Sequence, residues 1–167
     1  MDYSLETMSA SHRQPVIDIF NHFIRHLPAA FLTEPVDYSF FDHLLKISRG
    51  YPAVVVKDAA QQVVGFAFLR PHYSEASFRR TAEITYFILP DHTRQGLGSA
   101  ILELFMEQAG PMGIDSFLVA ISSKNEASLR FHLKNGFRKA GRFAKIGRKF
   151  GEDFDVVWLQ KHLDRPG

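Results

Sequence analysis

The chain has 167 residues, of which 46% are hydrophobic and 23% are charged, and its formal net charge is +2 at pH 7. These values are typical of one folded domain with a substantial core, and so small a charge does not indicate a nucleic-acid partner. The absence of cysteine excludes disulfides, thiolate catalysis and cysteine-ligated metals. No apolar run reaches the roughly 18 residues that span a bilayer, and no export signal opens the chain, which favours a cytoplasmic protein.

The first part of the chain predicts two amphipathic helices. Apolar residues recur at helical spacing over residues 11–26, and Pro28 ends this helix. A loop over residues 29–37 leads to a second apolar stripe, which begins at Phe40 and closes at Gly50.

The pattern then changes from helical spacing to the alternation of strands. Residues 53–57 and 63–69 flank a polar turn and predict a hairpin, and residues 82–89 predict a third strand. Helices and strands alternate in the second half: a helix after residue 96, a strand over 117–121, a helix over 125–134 and a strand over 153–160. This order predicts a mixed sheet of the α/β class with helices on both faces.

A glycine-rich turn over residues 93–99 follows the third strand and opens a helix. Unpaired backbone N–H groups and the positive end of the helix dipole favour a phosphate or diphosphate there. Gly96 and Gly98 permit a tight turn and close approach of a ligand, and Arg94 adds positive charge. The alternative is a strand-to-helix turn without a ligand. A nucleotide P-loop is excluded because no Gly-Lys-Ser/Thr follows, and Ile101 stands where a dinucleotide fingerprint needs a third glycine.

Two other features have simpler interpretations. His22 and His26 have the i, i+4 spacing of metal ligands, but no third ligand is evident, so we expect no metal. The basic stretch over residues 138–149 is typical of a solvated face.

Several short motifs occur in a defined order along the chain. They are residues 19–21 (IFN), 33–36 (TEPV), 79–83 (RRTAE), 90–91 (PD), 125–128 (NEAS), 136–137 (GF) and 147–151 (GRKFG), together with His132. In this order the chain resembles the GNAT family of N-acetyltransferases, and most closely its phosphinothricin acetyltransferase branch. The resemblance implies a single domain over residues 1–167, with a twisted, mostly antiparallel sheet of about seven strands, and a homodimer.

The resemblance also implies acetyl-CoA as the diphosphate ligand and co-substrate. The third strand would present backbone groups to the pantetheine arm, as an added strand does, and the glycine-rich turn would hold the diphosphate. Thr93 departs from the family, which usually has Arg or Gln there. The cofactor-binding residues implied are Tyr86, Phe87, Ile88, Arg94, Gln95, Gly96, Leu97, Gly98, Ser99 and Asn125.

Acetyl transfer requires that the acceptor amine lose a proton, since an alkyl amine has a pKa of about 10.4. Glu83 is the candidate catalytic base, because it begins an apolar strand where partial burial disfavours its charged form. The alternative is an ion pair with Arg79 or Arg80.

His132 is the candidate catalytic acid, at a position where the wider family often has Tyr. A histidine with an ordinary pKa of about 6.5 would donate a proton to sulfur and regain one from solvent. The alternative is a helix-surface histidine beside Arg130 or Lys134.

The acceptor implied by the resemblance is a small amino-acid-like amine of the phosphinothricin, methionine sulfone or methionine sulfoximine type. The candidate substrate-binding residues are Phe31, Tyr73, Arg79, Arg80 and Thr81. Two departures from the branch, an arginine-free loop over residues 71–76 and an apolar segment over 27–32, favour a different acceptor pocket. Acetylation of a polyamine, an aminoglycoside or a protein N-terminus is a second possibility, and a non-catalytic CoA sensor is a third.

Overall fold

The computed structural model describes residues 2–163. Within that range the strands are β1 (Ser4–Thr7), β2 (Ala53–Lys57), β3 (Val63–Pro71), β4 (Thr81–Ile88), β5 (Ser116–Ser122), β6 (Arg138–Lys149) and β7 (Glu152–His162). The α-helices are α1 (Arg13–His26), α2 (Phe40–Ile47), α3 (Leu97–Ala109) and α4 (Glu126–Lys134).

The seven strands form one sheet in the order β1-β2-β3-β4-β5-β7-β6. Every neighbouring pair is antiparallel except β4 and β5, which run parallel. The predicted α/β class, the mixed, mostly antiparallel sheet and the helices on both of its faces are therefore confirmed. The basic stretch over residues 138–149, expected to be a solvated face, is the edge strand β6, and its last residue, Lys149, is buried.

Strand alternation divides the core between two faces of the sheet. Val55, Phe66 and Phe87 pack with the apolar stripe of α1 and with α2, and we call this side the α1 face. The neighbouring residues Val56 and Ala67 pack with α3 on the other side, the α3 face. Phe66 is fully buried, and burial of a side chain of that size contributes roughly 1.5–3 kcal/mol.

The two parallel strands separate after only three pairs of residues. Thr81, Ala82 and Glu83 pair with Ser116, Phe117 and Leu118, and no pairing between the strands is present beyond Glu83 within residues 2–163. The rest of β4 is bonded only on its β3 side, and the rest of β5 only on its β7 side. A gap therefore opens between β4 and β5, with unpaired strand backbone on both walls.

Helices α3 and α4 begin shortly after the ends of β4 and β5. Because parallel strands end at the same edge of a sheet, the N-termini of both helices lie at the open end of this gap. The fold thus brings the glycine-rich turn and residue Asn125 to one place.

Candidate active site

The open end of the gap carries a cradle of free backbone donors. The first intrahelical bond of α3 runs from the Ala100 N–H to the Gly96 carbonyl (3.0 Å), so the N–H groups of Leu97, Gly98 and Ser99 have no acceptor within the helix. Arg94 and Gly96 both adopt positive φ, 63° and 81°, and turn the chain sharply into the helix. The arrangement suits a diphosphate, as the sequence predicts.

The two glycines of the turn have different roles. A Cβ on Gly96 would meet no other atom, so this glycine is needed for its left-handed backbone conformation. A Cβ on Gly98 would lie 2.9 Å from the Phe131 ring of α4. Gly98 therefore lets α3 and α4 pack closely, and the role of both glycines in ligand approach stays a prediction.

Asn125 and Ser99 are engaged in local hydrogen bonds at the gap. The Asn125 side chain accepts a bond from the Ser128 N–H (3.3 Å) and so caps α4 at its N-terminus. The Ser99 hydroxyl donates to Asn135 Oδ1 (3.3 Å) at the end of α4. Asn125 thus stabilises the start of α4, and Ser99 links α3 to the end of α4.

Two buried polar atoms next to the gap have no hydrogen-bond partner among the described residues. They are the Tyr86 hydroxyl and His132 Nε2, and the two rings lie 5.5 Å apart between centroids. Buried polar groups almost always have a hydrogen-bond partner. Two buried atoms without one, beside an open strand edge, are what a ligand-binding site would leave in the free protein. Burial raises the pKa of the Tyr86 hydroxyl, which therefore stays protonated.

His132 is not the solvent-exposed group that the sequence predicts. Its side chain is 1% exposed and packs against Tyr86, Phe131 and Phe137. Burial lowers its pKa from 6.5 to about 4, although a hydrogen bond to the Ser128 carbonyl opposes this shift. At neutral pH the imidazole is uncharged, its Nδ1–H donates to that carbonyl (2.8 Å), and Nε2 carries a lone pair rather than a proton. The prediction of an ordinary pKa for His132 and the alternative prediction of a position on the helix surface are therefore both wrong.

Glu83 lies at the closed end of the gap, in the last pair that joins β4 to β5. Its side chain is on the α1 face and the residue is 8% exposed. One carboxylate oxygen accepts from the Arg70 guanidinium, and the other lies 2.7 Å from His72 Nδ1. The predicted alternative to a catalytic Glu83 is an ion pair with Arg79 or Arg80. Glu83 does form an ion pair, but with Arg70, so the predicted partners are wrong.

Arg70 and His72 are site residues that sequence reasoning missed. Arg70 is the cross-strand neighbour of Glu83 on β3, and His72 follows the end of that strand. The only signal for these two residues in the sequence is their position in the predicted hairpin and in the loop after it. Their contact with Glu83 depends on the register of β3 against β4, which the sequence alone does not give.

An aromatic cluster surrounds His72 on the α1 face. The imidazole lies 4.4 Å from the ring of Tyr73, 5.9 Å from Phe78 and 6.1 Å from Trp158, centroid to centroid. Tyr73, a predicted substrate residue, is 56% exposed at the mouth of this cluster. The cluster forms an open, partly apolar wall next to Glu83.

The other predicted substrate residues are dispersed. Thr81 is on the same strand face as Glu83, two residues earlier, and Arg79 is exposed in the preceding loop. Arg80 is engaged in a two-bond ion pair with Asp115 (2.8 and 2.6 Å) beyond the closed end of the gap. Phe31 stacks on Phe154 of β7 at 5.8 Å, on the strand face that also carries Trp158.

Lys149, the last residue of β6, joins that strand to the end of α1. It is 7% exposed, and its ammonium donates to the carbonyls of Leu27 (2.8 Å) and Ala30 (2.6 Å). Burial lowers the pKa of this ammonium. A cavity of about 180 Å³ adjoins it, with His26, Phe154 and Glu152 in its wall.

The histidine pair on α1 lacks further ligands in the described chain. The His22 and His26 rings are 5.1 Å apart, and no group of three or more His, Asp or Glu side chains suited to a metal is found in residues 2–163. Within the same range, no helix has both the length and the apolar character needed to cross a membrane.

Comparisons with known proteins agree with this geometry. The model of the acetyltransferase (GNAT) family matches residues 16–137. The L-methionine sulfoximine/L-methionine sulfone acetyltransferase of Pseudomonas aeruginosa is 30% identical over 98% of this chain and 96% of its own length. The phosphinothricin N-acetyltransferase of Streptomyces coelicolor is 30% identical over 90% of each chain.

A solved structure of a Salmonella typhimurium protein with its cofactor acetyl-CoA, named as an acetyltransferase, superposes with a TM-score of 0.87. It is 27% identical, and the match covers 97% of this chain and 94% of that one. The chain therefore belongs to the acetyltransferase (GNAT) family and is an acyltransferase.

Proposed function

We propose that this protein transfers the acetyl group of acetyl-CoA to the amine of a small amino-acid-like acceptor, by direct attack in a ternary complex. The relatives named for phosphinothricin and for methionine sulfoximine or sulfone support this acceptor class. The observation that carries the proposal is the gap between β4 and β5, which has a diphosphate cradle at one end and the carboxylate of Glu83 at the other. We further propose that residues 1–167 act as one catalytic domain.

The residues present fit acetyl-CoA, which supplies an activated acetyl thioester. The unpaired backbone of Tyr86, Phe87 and Ile88 would bond to the pantetheine amides, and the free N–H groups at the start of α3 would bind the diphosphate. Arg94 and Gln95 flank the cradle, and Asn125 lies at the start of the helix across the gap.

Glu83 is the carboxylate that drives removal of the acceptor's proton. It is placed where the two strands part, so an acetyl group lying in the gap would come close to it. Arg70 forms an ion pair with one oxygen of this carboxylate. Removal of such a group typically costs 10²–10⁴-fold in rate.

His132 would act on the opposite side of the gap, near the departing sulfur. Because Nε2 is unprotonated in the free protein, the imidazole can donate to sulfur only after it has taken up a proton, and the acceptor nitrogen supplies one when it releases its second proton. The protonated Tyr86 hydroxyl, whose ring is 5.5 Å away between centroids, is a second donor for the same sulfur.

The acceptor would enter from the α1 face. The aromatic cluster around His72 offers apolar contact, and Arg79, Thr81 and Tyr73 border the same region with groups that bind a carboxylate. Phe31 would close the cleft from the side of β7. A polycationic acceptor fits less well, since Glu83 is already paired with two basic groups.

We also propose a homodimer formed through β6. This strand is at the edge of the sheet and exposes the large apolar side chains of Phe143 and Ile146, with Phe150 directly after it. The unpaired backbone of a long exposed edge strand is a template for pairing with another chain. Because acetyl-CoA is an intracellular metabolite, we propose the cytoplasm as the location.

A thiol-release assay tests the function. Acetyl-CoA would be offered with a panel that includes phosphinothricin, methionine sulfone, methionine sulfoximine, the common amino acids, a polyamine, an aminoglycoside and a peptide N-terminus. The proposal expects turnover with amino-acid-like amines and loss of turnover in Glu83→Gln. Turnover only with the other amines would overturn the acceptor class, and tight CoA binding without turnover on any amine would favour the sensor.

A further inference from the structure

Both oxygens of the Glu83 carboxylate are already occupied by protein donors. One accepts from the Arg70 guanidinium, and the other lies 2.7 Å from His72 Nδ1. Each oxygen keeps a second lone pair, but the residue is only 8% exposed, so the carboxylate offers an approaching amine little open surface. The more exposed imidazole of His72 is therefore better placed to take the proton.

His72 is held in the tautomer that a base requires. When Nδ1–H donates to Glu83, the lone pair of the neutral ring is on Nε2. Nε2 has no hydrogen-bond partner within residues 2–163, and the imidazole side chain is 21% exposed, so this atom is available to a ligand. A carboxylate that orients a histidine in this way also stabilises the imidazolium that forms.

The surroundings of His72 suit an acceptor amine. In the described chain, the titratable groups in contact with its ring are Glu83 of β4 and the neighbouring Tyr73, and Arg70 of β3 lies on the other oxygen of Glu83. Phe78 and Trp158 contribute uncharged rings.

We propose that His72 is the general base of the reaction and that Glu83 is the residue that orients it. The proposal rests on the acetyl transfer proposed above. One proton of the acceptor ammonium passes to Nε2, and the freed nitrogen lone pair forms a bond to the thioester carbon. The C–S bond then breaks with its electron pair on sulfur. The nitrogen releases a second proton, which converts the thiolate to the thiol, and the imidazolium returns its proton to solvent.

The test compares His72→Gln with His43→Gln, a change at an exposed histidine on α2 that lies outside the proposed site. Steady-state rates would be measured across about pH 5–9 at saturating acetyl-CoA. We expect His72→Gln to lower kcat by roughly 10²-fold or more and to remove the decline of the rate toward acid pH that protonation of a histidine causes. We expect His43→Gln to leave both unchanged.

Rescue of an inactive variant by added imidazole distinguishes a His72 that acts as a base from a His72 that only supports the fold. In His72→Ala, added imidazole should restore activity in a concentration-dependent way, and in Glu83→Gln it should not. Calorimetric binding of acetyl-CoA and thermal unfolding confirm that each variant is folded. A His72→Gln enzyme with kcat within threefold of wild type and the same pH profile would overturn the base role alone. A wild-type protein that binds acetyl-CoA and acetylates no amine would overturn the proposed function and this role with it.

Discussion

Glu83 and His132 lie on opposite faces of the sheet, although both border the gap between β4 and β5. Glu83 shares its strand face with Phe87, whose ring packs 5.1 Å from Phe23 of α1. His132 packs against Tyr86, which points to the other face. In the proposed reaction, removal of the acceptor's proton and protonation of the sulfur would therefore take place on two sides of the sheet, with the acetyl group between them.

The carboxylate of Glu83 is isosterically replaced by an amide in Glu83→Gln. We expect kcat to fall by roughly 10²–10⁴-fold because the negative charge that supports proton removal is lost. The dissociation constant of acetyl-CoA should change by less than about threefold, which is under 1 kcal/mol, because the cradle is at the far end of the gap. Glu103→Gln, on the exposed side of α3, is the matched control, and an unchanged kcat across pH would remove Glu83 from the mechanism.

Gly98 and Gly96 are needed for different reasons: Gly98 for close packing between two helices, and Gly96 for its positive φ. Gly98→Ala should destabilise the protein by about 1–2 kcal/mol, because its Cβ would press on the Phe131 ring. Gly96→Ala should cost about 1 kcal/mol through its positive φ. Urea denaturation in a Phe131→Leu background distinguishes the two: the cost of Gly98→Ala should fall there, and that of Gly96→Ala should persist. Equal costs in both backgrounds would refute the packing role of Gly98.

Because His132 is buried, we expect the free energy of unfolding to fall at acid pH. Its pKa is about 4 in the folded state and 6.5 ordinarily, so below pH 6.5 the unfolded chain takes up a proton that the folded chain does not. Stability is therefore lost as the pH falls from about 6.5 to about 4, by up to roughly 3 kcal/mol from this group. The difference in unfolding free energy between wild type and His132→Phe, measured at pH 7 and pH 4.5, should shift in favour of the variant at the lower pH. A difference independent of pH would contradict the assigned burial.

Lys149 should stabilise the fold from a position remote in sequence. Lys149→Met removes the donor to the Leu27 and Ala30 carbonyls and leaves them unsatisfied, at a cost of about 1–3 kcal/mol each at most. Lys145→Met changes an exposed side chain of the same strand and should change the unfolding free energy by less than about 0.5 kcal/mol. Indistinguishable midpoints in urea for the two variants would show that the buried contacts of Lys149 contribute nothing.

The sequence predicts the elements well where periodicity is strong. The second helix begins at Phe40, as expected, and the first helix starts at Arg13 after a short 3-10 turn, instead of at Ser11. The turn into α3 was recognisable because glycine is required where φ is positive. These are local properties, and local sequence determines them.

The parts of the site that sequence did not reveal depend on pairing between distant segments. The partner of Glu83 is Arg70 because the hairpin register sets the two opposite each other, whereas the nearer Arg80 is turned toward Asp115. The burial of His132 follows from packing against Tyr86 and Phe137, which its neighbours Arg130 and Lys134 did not indicate. Such contacts require the assembled sheet.

Isothermal titration calorimetry of acetyl-CoA, set beside S-acetylpantetheine, which lacks the diphosphate, tests the central claim most directly. If the amides at the start of α3 bind the diphosphate, acetyl-CoA should bind with measurable heat and at least about 100-fold more tightly than S-acetylpantetheine, a difference of about 2.7 kcal/mol. No heat with acetyl-CoA at millimolar concentration, or equal affinity for the two ligands, would contradict the account.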